Sequence, residues 1–217
     1  MTIQELTTQA RARCAFDNIP GELKDIPNWV VVRLDEDPAR PKPVKTPIDA
    51  TTRRLAKVND PRTWASFAAA RRLWELVHSY ATIGFVLTDD VGLSCIDLDN
   101  AIDEAGNLSA EARAMVAALA SWAEVSMSGR GLHVWVRGPM PKESRCRNDA
   151  IEVYSRSRYI ALTGATIPGS PSCIESRQTE LEALHRRVFT DAEPKPVPKP
   201  QDWVDAGPDC AAAFGDK

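Results

Sequence analysis

Residues 81–100 read ATIGFVLTDDVGLSCIDLDN, two short apolar runs parted by the acids Asp89 and Asp90. Each run has the length of a strand, and the acidic break between them predicts a β-hairpin. Alternation along the second run puts Cys95, Asp97 and Asp99 on one face and Ser94, Ile96 and Leu98 on the other. Two carboxylates then stand about 6–7 Å apart on an otherwise apolar strand, given a rise of about 3.3 Å per residue. Like charges so close repel unless a cation lies between them. Either that face meets Mg²⁺ or Mn²⁺, hard ions that take carboxylate oxygen and share their shell with substrate phosphates, or the strand end is solvated and its acids meet only water.

Outward from this stretch the chain alternates strand and helix signals. The first eighteen residues predict a short helix held as a loose arm. Trp29–Val32 is an aromatic, β-branched run that reads as a strand, and the Pro-rich, basic DPARPKPVKTPIDATTRR after it reads as a loop. NDPRTWASFAAARRLWELV predicts a helix capped by Asn59 or Asp60, with Pro61 at its first position. NLSAEARAMVAALASWAEV predicts a second helix opened by Ser109. GLHVWVRG alternates as a strand with His133, Trp135 and Arg137 on one face. AIEVYSRSRYIALTG supplies one or two more strands around a polar turn at Ser155–Ser157, and ESRQTELEALHRRVF a closing helix. Hairpins between helices predict an α+β fold rather than a parallel doubly wound sheet. The expected organisation is an arm over 1–18, a catalytic-sized domain over 19–190 and a Pro-rich linker or tail over 191–217, extended as polyproline II at EPKPVPKP.

The 217 residues are 43% hydrophobic and 26% charged, a globular balance, and the net charge of −3 gives no general attraction to nucleic acid or anionic membrane. Binding to either needs a local patch. No run reaches the roughly 20 apolar residues of a membrane span, and the N-terminus lacks an apolar signal core, so the expected location is the cytoplasm. Five cysteines are scattered singly and predict free thiols rather than a zinc site.

SMSGRGLHVWV, residues 126–136, is a Gly-rich turn feeding a strand. Gly129 and Gly131 permit positive φ and a close backbone approach to an anion, Ser128 adds a hydroxyl and Arg130 a fixed charge. His133 projects from the start of the strand beside them. The set suits a triphosphate, or is a plain turn before a strand with a buried histidine. Glu152 stands between Ile151 and Val153 as a third acid, either completing a metal shell or pairing with a nearby arginine. From Ser128 to Tyr159 seven arginines and lysines face three acids, a basic patch beside the carboxylates.

Taken in order, hhhDhD, SxSGxGxHhxV and hEhYxxxRYxxhTG resemble the archaeo-eukaryotic primase superfamily, and more narrowly the N-terminal primase-polymerase domain of phage and plasmid replication proteins. IPGELKDIPNWV, Lys45-Thr46-Pro47, NDPRTWASFAAA and TIGFVLTDD are similar to further elements of those domains, so that the likeness runs from about Ile19 to IESRQ at 174–178. The resemblance implies an RRM-like antiparallel catalytic sheet with flanking helices and a smaller N-terminal α/β unit. It implies that Asp97, Asp99 and Glu152 hold catalytic Mg²⁺ or Mn²⁺. Ser128, Gly129, Arg130, Gly131 and His133 would bind the incoming nucleotide's phosphates, Tyr159 would lie near its sugar, and Arg158 would touch its phosphates. The implied substrates are NTPs or dNTPs on a single-stranded DNA template. A replicative helicase is the implied partner, in cis in a longer chain or as a separate protein, since no GxxxxGK[ST] loop occurs here.

Two other functions compete. A catalytically weak relative would bind single-stranded DNA and recruit a helicase. A nuclease or relaxase would use the same acids with His133, but relaxases need a histidine cluster, and this chain has three histidines in all, two of them in predicted helices.

Overall fold

The computed structural model describes residues 1–140, 147–148 and 150–189. The expected linker or tail over 191–217 lies outside these residues. The helices are α1 (Ile3–Arg13), α2 (Gly21–Lys24), α3 (Phe67–Leu76), α4 (Ala110–Leu119) and α5 (Gln178–Phe189). The strands are β1 (Trp29–Asp35), β2 (Val44–Ile48), β3 (Tyr80–Leu87), β4 (Leu93–Leu98), β5 (Ala123–Val125), β6 (Leu132–Arg137), β7 (Ile151–Tyr154), β8 (Arg158–Leu162) and β9 (Glu175–Ser176). The fold is α+β with antiparallel sheets, as the strand and helix signals predict.

The expected hairpin over 81–100 does not form. β3 and β4 lie in different sheets, one of order β2-β1-β3-β8 and one of order β5-β6-β4-β7, with β9 paired in parallel to the far end of β6. Burial explains the separation. β3 is buried along its whole length and β4 nearly so, and each finds partners on both sides, β1 and β8 for β3, β6 and β7 for β4. Asp89-Asp90-Val91 forms a 3₁₀ turn, with Gly92 left-handed at φ 66°, that carries the chain from one sheet to the other. The same division recurs at Ser155–Ser157, where β7 leaves the second sheet and β8 completes the first. The first sheet is therefore not a purely N-terminal unit.

Trp29, Val31, Phe85, Leu87 and Ile160 of the first sheet pack with Cys95, Trp135 and Tyr154 of the second. Trp29, Phe85 and Trp135 are linked edge to face, with centroids 5.2 and 5.9 Å apart. The opposite face of the second sheet, with Ile96, Leu132, Val134 and Val153, is covered by Met115 and Leu119 of α4 and Leu181 and Leu184 of α5. A fully buried side chain of this size contributes about 1.5–3 kcal/mol.

Several local expectations change. The stretch read as a loop contains β2, which pairs with β1. The helix expected through Val125 ends at Leu119, where Ala120 turns left-handed, and Ala123–Val125 pairs with β6 instead. Asp60 caps only the 3₁₀ turn Pro61–Thr63, and α3 begins six residues later under Ser66, whose hydroxyl accepts the Ala69 N–H. The N-terminal segment is docked rather than loose. Thr2 and Glu5 close a capping box, and Ala10, Ile3 and Leu6 pack with Leu34, Ala81 and Met127. Arg11 donates to the carbonyls of Trp74 and Tyr80 and lies 4.0 Å over the Trp74 ring. α4 does open under Ser109, which accepts the Ala112 N–H.

Candidate active site

Strand register places the site. Asp97 of β4 stands opposite His133 of β6 and opposite Glu152 of β7, and His133 stands opposite Glu124 of β5. Residues directly opposite in neighbouring antiparallel strands share a face about 4.5–5.5 Å apart. Four ionisable side chains, Glu124, His133, Asp97 and Glu152, thus form one row across four adjacent strands. Alternation continues the row's face into Cys95, Trp135 and Tyr154, so the row borders the core between the sheets.

Burial grades along the row. Glu124 and His133 are 0% and 2% exposed, Asp97 and Glu152 partly buried. Asp99 lies one residue past β4 in an exposed turn, but its N–H still donates to Ala150 O at 2.9 Å, which carries the ladder one bond further. The solvated end of the strand and its sheltered middle therefore coexist.

His133 is held from both sides. Its Nδ1 is 2.9 Å from Glu124 Oε1, and its Nε2 is 3.8 Å from Asp97 Oδ1. Burial opposes charging of the imidazole, but the Asp97 carboxylate, and then the hydrogen bond and charge of Glu124, outweigh it and lift its pKa above the ordinary value; Lys45 pushes the other way. Glu124 is itself anchored, its Oε2 accepting the N–H of Thr163 at 3.0 Å and of Gly164 at 2.6 Å. Sequence reasoning passed over Glu124 because residues 107–125 read as one helix, whereas Ala123–Val125 is β5 and sets Glu124 opposite His133.

Glu152 accepts the Tyr154 hydroxyl at 2.8 Å, and the Arg158 guanidinium lies 3.8 Å from the same carboxylate and 4.6 Å over the Tyr154 ring. Arg158 is thereby brought to the row from the first sheet. Tyr159 points to the opposite side of β8, among Val30 and Val86. Its hydroxyl donates to the carbonyl of Lys45 on β2, at the far edge of that sheet. The ring crosses over Gly84, where a Cβ would stand 3.1 Å from Tyr159 Cδ2 and 3.2 Å from Val30 Cγ2. Burial pushes the phenol pKa up.

The turn before β6 is tighter than an open anion cradle. Gly129 N–H donates to Ser126 O, Arg130 N–H to Ser128 Oγ and Gly131 N–H to Ser126 Oγ. Gly129 has φ 77°. A Cβ on Gly131 would meet Leu98 O at 2.8 Å, so the turn rests on the end of β4, next to Asp99. With three amides engaged inside the turn, its outward groups are the exposed Ser128 and Arg130, the latter 3.6 Å from the exposed Glu104.

Among the described residues no three acidic, histidine or cysteine side chains converge as a ready metal cage. Asp97 and Glu152, opposite each other, are the oxygen donors that Mg²⁺ or Mn²⁺ takes, and such ions fill their shells with water and substrate phosphate rather than with protein alone. The donor set fits an ion that arrives with its substrate. Cys14, Cys95 and Cys173 are free; burial pushes the Cys14 thiol up to about 11 and Cys95 well above its ordinary value, so neither is a nucleophile here. Among the described residues no helix is long and apolar enough to cross a membrane.

Residues 22–199 match the model of the bifunctional DNA primase/polymerase N-terminal family. A DNA primase-polymerase of Nitratiruptor phage NrS-1 is 32% identical over 148 residues, which covers 65% of this chain and 20% of the relative. The chain therefore spans about a fifth of that relative's length. With its acidic row, its SxSGxGxH turn and a family match over most of its length, the chain belongs to the bifunctional DNA primase/polymerase N-terminal family.

Proposed function

We propose that this chain performs template-directed nucleotidyl transfer on single-stranded DNA, taking NTPs or dNTPs and either starting strands or extending them. The observation that carries the proposal is the row Glu124–His133–Asp97–Glu152 across four strands, with the Ser128–Gly131 turn seated on the end of β4. Asp97, Asp99 and Glu152 would hold two divalent ions, Mg²⁺ or Mn²⁺, which supply activation of the attacking 3′-hydroxyl and neutralisation of the leaving pyrophosphate. Arg158 and the Tyr154 hydroxyl fix the Glu152 carboxylate. His133, held by Glu124, presents its Nε2 edge beside Asp97 to a phosphate oxygen. Ser128 and Arg130 reach the outer phosphates, whereas Tyr159, on the other side of β8, is left to the packing over Gly84. Holding the triphosphate in line for attack supplies most of the rate in such reactions. A replicative helicase, in cis or separate, is the partner this activity calls for.

The test uses purified protein, a single-stranded DNA template, Mg²⁺ or Mn²⁺ and labelled NTPs or dNTPs, with and without a primer. New strands that Asp97→Ala fails to make, while melting like the wild type, support the proposal. DNA bound with no product under any of these conditions overturns it in favour of a binding module.

A further inference from the structure

We propose that Arg13, the last residue of α1, is a phosphate-binding residue of the nucleotide site, so that the N-terminal helix supplies part of the active site. This rests on the reading of the Ser128–Gly131 turn as the nucleotide's phosphate site. α1 lies ahead of residues 22–199, the stretch matched to the family, so the role falls to this chain's own N-terminal segment.

Three observations converge on Arg13. Its Nη1 donates to Gln9 O at 3.1 Å and reaches across to Met127 O at 3.3 Å, tying the end of α1 to the turn. Its guanidinium lies against Gly129, where a Cβ would stand 2.6 Å from each of Cζ, Nε and Nη2. The absence of a side chain at position 129 is what admits the cation. Finally, among the described residues no carboxylate lies within ion-pair distance of Arg13, whereas Arg130, the other cation at the turn, has Glu104 at 3.6 Å.

Charge accounting at the turn gives this cation its use. Gly129, Arg130 and Gly131 spend their N–H groups inside the turn, so a triphosphate there must be neutralised by side chains. Arg130 already has Glu104 at 3.6 Å. Arg13 brings to the turn a guanidinium of the kind phosphates favour, with Nε and Nη2 lying along Gly129. Its place is fixed before any nucleotide arrives, because Ile3, Leu6 and Ala10 of α1 pack on Leu34, Ala81 and Met127. That leaves little ordering cost on binding.

The experiment measures equilibrium affinity for a nucleoside triphosphate and for its monophosphate in Mn²⁺, without template, in wild type, Arg13→Ala, Arg13→Lys and Arg11→Ala. Arg11→Ala removes an α1 cation that does not touch the turn and leaves the apolar packing of the helix in place, and thermal melting reports the fold of each variant. Loss of a partly solvated charged contact predicts that Arg13→Ala weakens triphosphate binding roughly 5- to 10-fold. It also predicts a lower ratio of triphosphate to monophosphate affinity, partial recovery in Arg13→Lys, and Arg11→Ala within about 2-fold of wild type. An unchanged ratio in Arg13→Ala, or an equal loss in Arg11→Ala, overturns the proposal. A wild-type protein that binds no triphosphate overturns instead the reading of the turn on which it rests.

Discussion

Glu124 is the residue on which the site's order depends. It is fully buried, faces a histidine and takes two backbone N–H groups, and a buried carboxylate is retained only where its oxygens are satisfied. Replacing it by Ala strands the N–H groups of Thr163 and Gly164 and leaves His133 without its partner. The expected cost is about 2–4 kcal/mol, read as the shift in urea midpoint; a loss under about 0.5 kcal/mol, the size of an ordinary surface change, would contradict it. The same contacts set a pH dependence. The native state raises the His133 pKa above the unfolded value, so it binds the extra proton between the two. That stabilisation is fully present below the unfolded pKa and is lost as pH rises through the folded one. Urea midpoints measured in chelator from about pH 5 to about pH 9 should carry this decline in wild type and lose it in His133→Gln. Equal slopes in the two proteins would remove His133 as the cause. Asp97, His133 and Glu152 were all legible as candidates from alternation alone. Glu124 was not recognised, because its pairing with His133 comes from a strand register that a single short segment does not reveal.

Elements obey their local signals where the signal is a cap or an alternation, and depart from them where pairing decides. Ser109 opens α4 as its spacing predicts, whereas Asp60 and Pro61 spend themselves on a 3₁₀ turn and leave α3 to Ser66. A good cap followed by proline starts a turn; only the apolar stripe that follows decides whether a helix continues from it. In β3 the decisive residue is Gly84, over which the Tyr159 ring crosses to reach Lys45 O. Gly84→Ala would bring a methyl within 3.2 Å of Ile160 O as well as of the ring. It is expected to cost about 1–3 kcal/mol, as overpacking does. Tyr159→Ser in the same chain removes the ring and should return part of that loss; strictly additive costs in the double-mutant cycle would mean that the ring and position 84 do not meet.

The two sheets share one core at the scale of the whole molecule. Trp29 and Phe85 of the first meet Trp135 of the second, and the chain enters the first sheet, crosses to the second and returns through β8. Neither sheet is then a separable unit. Unfolding in urea followed by far-ultraviolet circular dichroism and by tryptophan fluorescence should give one coincident transition. Separate midpoints would show sheets that open independently. The docking of α1 belongs to the same scale, since its apolar residues meet Leu34 and Ala81 of the first sheet and Met127 of the turn that precedes β6.

Residue order alone determined the α+β class, four of the five helices among the described residues with the cap of α4, the strand through Asp97, and Asp97, His133 and Glu152 as candidates for the site. These depend on spacing within about ten residues, where backbone periodicity dictates which side chains share a face. Tertiary structure alone decided that β3 and β4 separate into two sheets, that β8 joins the first, that Glu124 backs His133, and that Arg13 lies on Gly129. Each of these is a contact between distant segments, chosen by which surfaces can be buried together, and no local pattern encodes which partner a buried strand or a long cation will find.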